Sequence, residues 1–495
     1  MSSPANLDRS LAGAIAWNAV AKWSAQILSW VSAIVVARLL TPYDYGIVGM
    51  AGVYLLLANI ASQAGIEGAI VAAPQVTGEQ IAGLNTIAIA AGLLLLGVSC
   101  LVAPVIAGFF SSPPLRAVVM VASLMYVINA LQIVPAALLA KALRFKLLAG
   151  INLARSLCQI VVTVLLAWLG YRYWSLVVGT LAAYATATLL TLVFQRYRFA
   201  WPRWQSVRHL VFYSGHMFVA QLSLYLYEAA DVAVAGRMLG AVPLGDYTVA
   251  YQVGGMPVAK ITNLVTVVAS AFFSAVQDNL PELRRQFLNL SEIMALAVTP
   301  ASFGIALTAD YLVLVVFGPK YRGAIGALCL LGLLFSFRSM VTLLPKLLSA
   351  TGDAKFVSRV SAATALVLVP AFVVGSRWGI TGVAAAWLLV YPLLTVPLFW
   401  RLFRKIELRP SAYFSAIQPA VTGSLAMAAV LLLARWASPF PKYSVAGLAF
   451  LVLIGIAAYA GTLLIFQRQR VLRVVNAFRR LRQAAPERSR PVAAG

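Results

Sequence analysis

Asn18, Lys22, Gln26 and Ser29 follow one another at intervals of four, four and three residues, so in a helix they share one face of an otherwise apolar stretch. Asn59, Gln63 and Glu67 repeat the pattern in the next stretch. Gln221, Tyr225 and Glu228 form a third stripe, with Asp231 close to its continuation, and Gln252, Lys260 and Asn263 form a fourth. Polar and ionisable side chains in such segments are costly in hydrocarbon and by default face a cavity or a partner. Lys22, Lys260 and Arg338, with Arg155 a further candidate, would let that cavity receive an anion. Glu228 and Asp231 stand three apart on one face, which suits a coupling cation, Na⁺ or H⁺, or a shared proton. The competing reading pairs each charge locally: Lys22 with Glu67, Lys260 with Glu228 or Asp231, and Arg338 with an inward Asp310 or a backbone carbonyl. His209 and His216 are isolated, so no metal constellation is expected.

The elements that must position these residues are membrane helices. Of 495 residues, 62% are apolar and only 11% charged, against about half and a quarter in soluble domains. Apolar stretches of bilayer-spanning length are expected at 11–40, 45–73, 81–110, 115–140, 147–169, 174–194, 210–239, 247–273, 287–317, 324–350, 356–374, 380–403, 412–434 and 444–466. The first is far longer than a signal-peptide core, contains Lys22 and has no cleavage pattern after it, so it is expected to remain as a span.

Charge tests this count. The formal +24 comes from 38 basic against 14 acidic residues, and in a soluble chain it would suggest nucleic acid. With fourteen spans, both termini in the cytoplasm, and residues within about a turn of a span end counted with the adjoining side, 25 of the Lys and Arg residues fall inside, 9 outside and 4 within spans. That is the positive-inside pattern, so the charge reads as topology and no nucleic-acid partner is expected. Cys100, Cys158 and Cys329 lie in apolar stretches without paired spacing, which supports neither a disulfide framework nor a thiolate metal site.

The longest connector, Gln195 to His209, is short and basic. That argues against glycosyltransferases, polymerases and ligases, which carry their chemistry on a large outer loop. No phosphate-cradling Gly-rich loop is present, so no cofactor and no ATP-driven cycle is expected.

The chain resembles itself at an offset of about 200 residues. Arg38 to Gly46 (RLLTPYDYG) is echoed by Arg237 to Tyr247 (RMLGAVPLGDY), Leu139 to Lys146 by Leu348 to Phe356, and Gly170 to Trp174 by Gly375 to Gly379. Six spans per repeat is even, so the repeats enter from the same side and are related by an axis along the membrane normal. Thr41, Pro42 and Asp44 also read as a helix start: cap, first helical residue and capping-box carboxylate. The sharper reading mirrors Arg38 and Asp44 with Arg237 and Asp246, which would pair across the repeats and close an outer gate.

Ala37 to Gly46, Leu143 to Lys146 and Gln277 to Asn279 resemble the bacterial polysaccharide transporters, the Wzx-like lipid-linked oligosaccharide flippases of the multidrug/oligosaccharidyl-lipid/polysaccharide exporter superfamily. The resemblance covers essentially the whole chain. It implies an all-α membrane protein of about 14 helices: two pseudo-symmetric six-helix lobes around a central cavity, plus two C-terminal helices. Laid on this sequence, that gives an N-terminal lobe 1–195, a basic linker 196–209, a C-terminal lobe 210–405, two extra helices 406–467 and a basic cytoplasmic tail 468–495. Apolar residues from Val471 to Leu481, with arginines between them, suit an amphipathic helix on the anionic leaflet, or a tail that only fixes topology.

The resemblance also implies a transporter rather than an enzyme. It would sit in the bacterial inner membrane and move a polyprenyl-diphosphate oligosaccharide between leaflets by alternating access, with membrane lipids and polysaccharide polymerase machinery as partners. Asn18, Lys22, Gln26, Gln63, Gln221, Lys260, Asn263 and Arg338 are the expected substrate contacts. A drug antiporter of the same superfamily and a membrane enzyme acting on lipid-linked sugars are the alternatives. Cavity charges of both signs count against the first, and the missing catalytic loop against the second.

Overall fold

The computed structural model describes residues 30–63, 70, 77–195, 200, 228–276 and 279–466, and within these every regular element is helical. The chain forms two compact units, Met1–Thr248 and Val249–Gly495.

In the first unit, α1 (Trp30–Leu39) turns by 116° into α2 (Pro42–Gln63). There follow α3 (Gly78–Phe109), α4 (Pro114–Ala122), α5 (Leu124–Lys141), α6 (Phe145–Trp168), α7 (Trp174–Phe194) and α8 (Ala230–Leu239). The helix starts obey local rules. Thr77 caps α3 by accepting from the Gln80 N–H, while the Gln80 side chain returns to the Thr77 N–H. The chain leaves α8 through Gly240 at φ 86°, a left-handed conformation that favours glycine.

The first turns of α9 (Ala241–Ala275) belong to the first unit and its remainder to the second. The second unit continues with α10 (Leu280–Leu307), α11 (Ala324–Val341), α12 (Leu343–Ala350), α13 (Ala354–Gly375), α14 (Gly379–Lys405), α15 (Pro410–Trp436) and α16 (Val445–Phe466). Between α10 and α11 the chain passes through a π-helical turn, Leu312–Phe317.

The same neighbours recur in each unit. α3 packs on α4 and α5, α5 on α7, and α6 on α7; in the second unit α10 packs on α11, α11 on α14, and α13 on α14. Small residues permit the close approaches expected between helices in lipid: a Cβ on Gly92 of α3 would meet the Ala130 Cβ of α5 at 2.9 Å, and one on Gly332 of α11 would meet that of Ala306 of α10 at 3.1 Å. The last two helices form a pair of their own, α15 against α10 and α16.

Helices long and apolar enough to cross a membrane occupy most of the expected spans. Ala354–Lys405 qualifies as one segment but holds two helices, α13 and α14, packed against each other through the turn Ser376–Trp378. The expected first and seventh spans are represented by α1 and α8, and the rest of each lies outside the described residues. Trp168, Trp378 and Trp436, at helix ends expected on the outer side, expose most of their surface, as interfacial tryptophans do.

Candidate functional site

Of the expected site residues, Asn18, Lys22, Gln26 and Gln221 lie outside the described residues, as does Glu67. Gln63 falls in the last turn of α2. Lys260 and Asn263 are both exposed on α9, three residues apart on one side of the helix. Glu228 is exposed at the start of the described segment, whereas Asp231 is fully buried in the first turn of α8. There Asp231 Oδ2 accepts from the Tyr247 hydroxyl at 2.6 Å and Oδ1 from the Val232 N–H at 2.7 Å.

Arg338, near the end of α11, donates to the Tyr251 hydroxyl at 2.7 Å, and its guanidinium lies over the Trp387 ring, 5.1 Å from the centroid. Trp387 of α14 is fully buried and packs against Phe372 and Tyr391, so the platform is rigid. The phenol and the indole together position the guanidinium. The suggested Asp310 partner is engaged elsewhere: its carboxylate takes the Arg435 guanidinium, which also donates to the Leu307 carbonyl. Asp310 sits at the break before the π-helical turn, where the freed Leu307 carbonyl gives Arg435 a second acceptor. Arg155 is held in the same manner as Arg338, 4.3 Å from the centroid of Tyr184, whose hydroxyl accepts from Asn59. Tyr184, Tyr251 and Trp387 carried no signal in the sequence that separated them from other membrane aromatics.

At the end of the first unit expected to face outward, the expected helix start is formed. Asp44 Oδ2 accepts from the Thr41 N–H at 2.9 Å and the Thr41 hydroxyl at 2.6 Å, closing a capping box. Its Oδ1 accepts from the Tyr173 N–H at 3.2 Å and faces Arg172 at 3.4 Å. Arg237 donates to Ser111 at 2.8 Å and lies over Phe109. Arg38 is exposed, and Asp246 is 8% exposed with its Oδ1 lacking a hydrogen-bond partner among the described residues.

Beside these charges, α2 and α9 meet backbone to backbone. A Cβ on Gly46 would lie 1.8 Å from the Ala241 oxygen, and one on Gly245 would lie 1.7 Å from the Pro42 oxygen. The differences 245 minus 46 and 241 minus 42 are both 199, so the contact is reciprocal between the two repeats. At that offset Asp44 corresponds to Pro243 and Asp246 to Ile47. The two carboxylates are therefore not mirror images, whereas Arg38 and Arg237, Leu40 and Leu239, and Gly46 and Gly245 do correspond.

At the end expected to face the cytoplasm, Asp353 accepts from both Arg401 and Lys405, and Lys405 also donates to the Thr351 carbonyl. The Arg401 hydrogen bonds, reinforced by Lys405, hold the Asp353 carboxyl below the usual carboxylate range.

Residues 35–326 match the family described as polysaccharide biosynthesis protein. The chain belongs to that family. Among members of the polysaccharide biosynthesis group, it is similar to the lipopolysaccharide biosynthesis protein WzxC of Escherichia coli (strain K12), at 26% identity over 79% of this chain and 80% of that one. It is also similar to the teichuronic acid biosynthesis protein TuaB of Bacillus subtilis (strain 168), at 25% identity over 83% of this chain and 86% of that one. In fold the chain is similar to a solved structure described as the lipid II flippase MurJ, inward closed conformation. The TM-score is 0.76 at 15% identity, over 92% of this chain and 99% of the other.

Proposed function

We infer that this chain carries a polyprenyl-diphosphate-linked oligosaccharide, the repeat unit of a surface polysaccharide, from the inner to the outer leaflet of the bacterial cytoplasmic membrane by alternating access. The observation that carries the reading is membership of the polysaccharide biosynthesis family by a chain made almost wholly of membrane helices with short connectors. Such a chain has the architecture of a transporter, so we read it as a non-enzyme.

The physics fits. Sugar hydroxyls moved through hydrocarbon without partners would cost several kcal/mol each, at roughly 2–7 kcal/mol. A protein that gives the head group a polar path removes that barrier, while the prenyl tail stays in lipid at about 0.8 kcal/mol per buried CH₂. Lys22, Lys260 and Arg338 receive the diphosphate, and Asn18, Gln26, Gln63, Gln221 and Asn263 take sugar hydroxyls. Support for Arg338 comes from its aromatic mounting, which fixes a guanidinium of the kind that recognises phosphate oxygens. Glu228 and Asp231 hold the coupling ion, Na⁺ or H⁺. Two lobes, 1–195 and 210–405, rock about the site, with both termini in the cytoplasm. The outer gate lies where Arg38, Asp44, Arg237 and Asp246 flank the paired starts of α2 and α9. A polysaccharide polymerase on the outer face consumes the product.

The test is deletion of the gene. Loss of surface polysaccharide, with lipid-linked repeat units accumulating in the inner leaflet, is the expected result. Repeat units that never form would instead favour an enzyme acting on lipid-linked sugars.

A further inference from the structure

Room along the α2 and α9 seam changes with depth. At Gly46 and Gly245 an added Cβ would sit 1.8 and 1.7 Å from facing backbone oxygens, well inside any real contact. One turn on, a Cβ on Gly49 would meet side chains only, the Thr248 hydroxyl at 3.0 Å and Leu244 at 3.6 Å, and at Gly52 nothing lies within 4 Å. The two helices thus touch backbone to backbone at their first turns. A carbon–carbon single bond is about 1.5 Å, so each glycine Cα lies no more than about 3.3 Å from the facing oxygen, within range of a Cα–H···O contact.

The Pro42 and Ala241 carbonyls sit in first helical turns, where each also accepts its own intrahelical bond from the residue four places on. Parting the helices therefore strands no donor or acceptor, which distinguishes this seam from one held by ordinary hydrogen bonds. We propose that Gly46 and Gly245 form a reciprocal clasp, one glycine from each repeat, that shuts the outer gate by backbone contact and releases when the transporter opens outward. A side chain at either position holds the seam apart, because the obstacle is backbone and cannot rotate away. Asp44 and Arg237 anchor the two sides to their neighbours, Asp44 on Tyr173 and Arg237 on Ser111, so the helix starts meet as fixed edges.

The proposal rests on the transporter reading and its orientation. Its test reads conformation rather than transport, so the two can fail separately. In a background with Cys100, Cys158 and Cys329 replaced by serine, Leu244→Cys reports the seam, since Leu244 is fully buried and lies beside Gly49 and Gly236. Labelling by a membrane-impermeant maleimide is measured in intact spheroplasts and in inside-out vesicles, with folding checked by size-exclusion chromatography. Gly46→Ala and Gly245→Ala should each raise the outer labelling rate on the order of tenfold, the response of a population moved toward the open state. Gly49→Ala should raise it less, and Gly52→Ala not at all. Equal labelling across all four variants would overturn the clasp, as would a rise seen only in inside-out vesicles. Failure of both Gly46→Ala and Gly245→Ala chains to fold would also overturn it, because a contact that opens during transport must be dispensable to the folded state.

Discussion

Asp44 and Arg172 meet at 3.4 Å where the first turn of α2 reaches the turn before α7, and the same carboxylate caps α2 and accepts from the Tyr173 N–H. One buried side chain thus sets both where α2 begins and what it rests on. Asp44→Ala should lower thermal stability by about 1–2 kcal/mol, the usual cost of a lost cap. Arg172→Ala should cost less than about 1 kcal/mol, since the arginine is 59% exposed and its pair is screened. Equal losses, measured by thermal unfolding in detergent, would mean that the ion pair and not the cap fixes the helix start.

Arg338 depends on its mounting. Arg338→Ala should reduce export by roughly ten- to a hundredfold with the protein still inserted, the range expected for one lost charge-assisted contact. Tyr251→Phe removes the acceptor that aims the guanidinium and should give a smaller loss. Export unchanged in Arg338→Ala, scored by surface polysaccharide at matched expression, would take Arg338 out of the substrate path.

Lys22→Ala and Lys260→Ala should each abolish flipping while leaving membrane insertion intact. Retained transport in either variant would remove that lysine from the site.

Asp353 gives a pH signature. Its carboxyl is held low by Arg401 and Lys405, so it contributes stability that is complete above the ordinary carboxylate range near pH 4 and is lost as pH falls through the lower folded value. Thermal stability of the wild type should therefore fall more steeply below about pH 4 than that of Asp353→Asn, which has nothing there to protonate. Parallel curves would show that the clamp on Arg401 and Lys405 adds no stability.

The spans were legible because a bilayer demands about 20 apolar residues. Helix starts such as Thr41 to Asp44 were legible because caps are local. The partners of Arg338 were not: Tyr251 and Trp387 come from helices far apart in sequence, and an aromatic in a membrane helix carries no mark of the cation it holds. Asp310 looked free to meet Arg338, and only the break at the π-helical turn reveals why it meets Arg435 instead. The carboxylates Asp44 and Asp246 are three positions out of register with the repeat that the glycines define. Gly46 and Gly245 stand at the same place in each motif, but a glycine shows its importance only when the opposing backbone is seen.

The central claim is movement of lipid-linked saccharide between leaflets. Its most direct test is a leaflet assay with the purified protein in proteoliposomes loaded with polyprenyl-diphosphate oligosaccharide, in which a saccharide-modifying enzyme is added outside. The account predicts that protein-containing vesicles expose the inner-leaflet pool to the enzyme and that Arg338→Ala vesicles do so far more slowly. An inner pool equally protected with and without the protein, under both Na⁺ and H⁺ gradients, would contradict it.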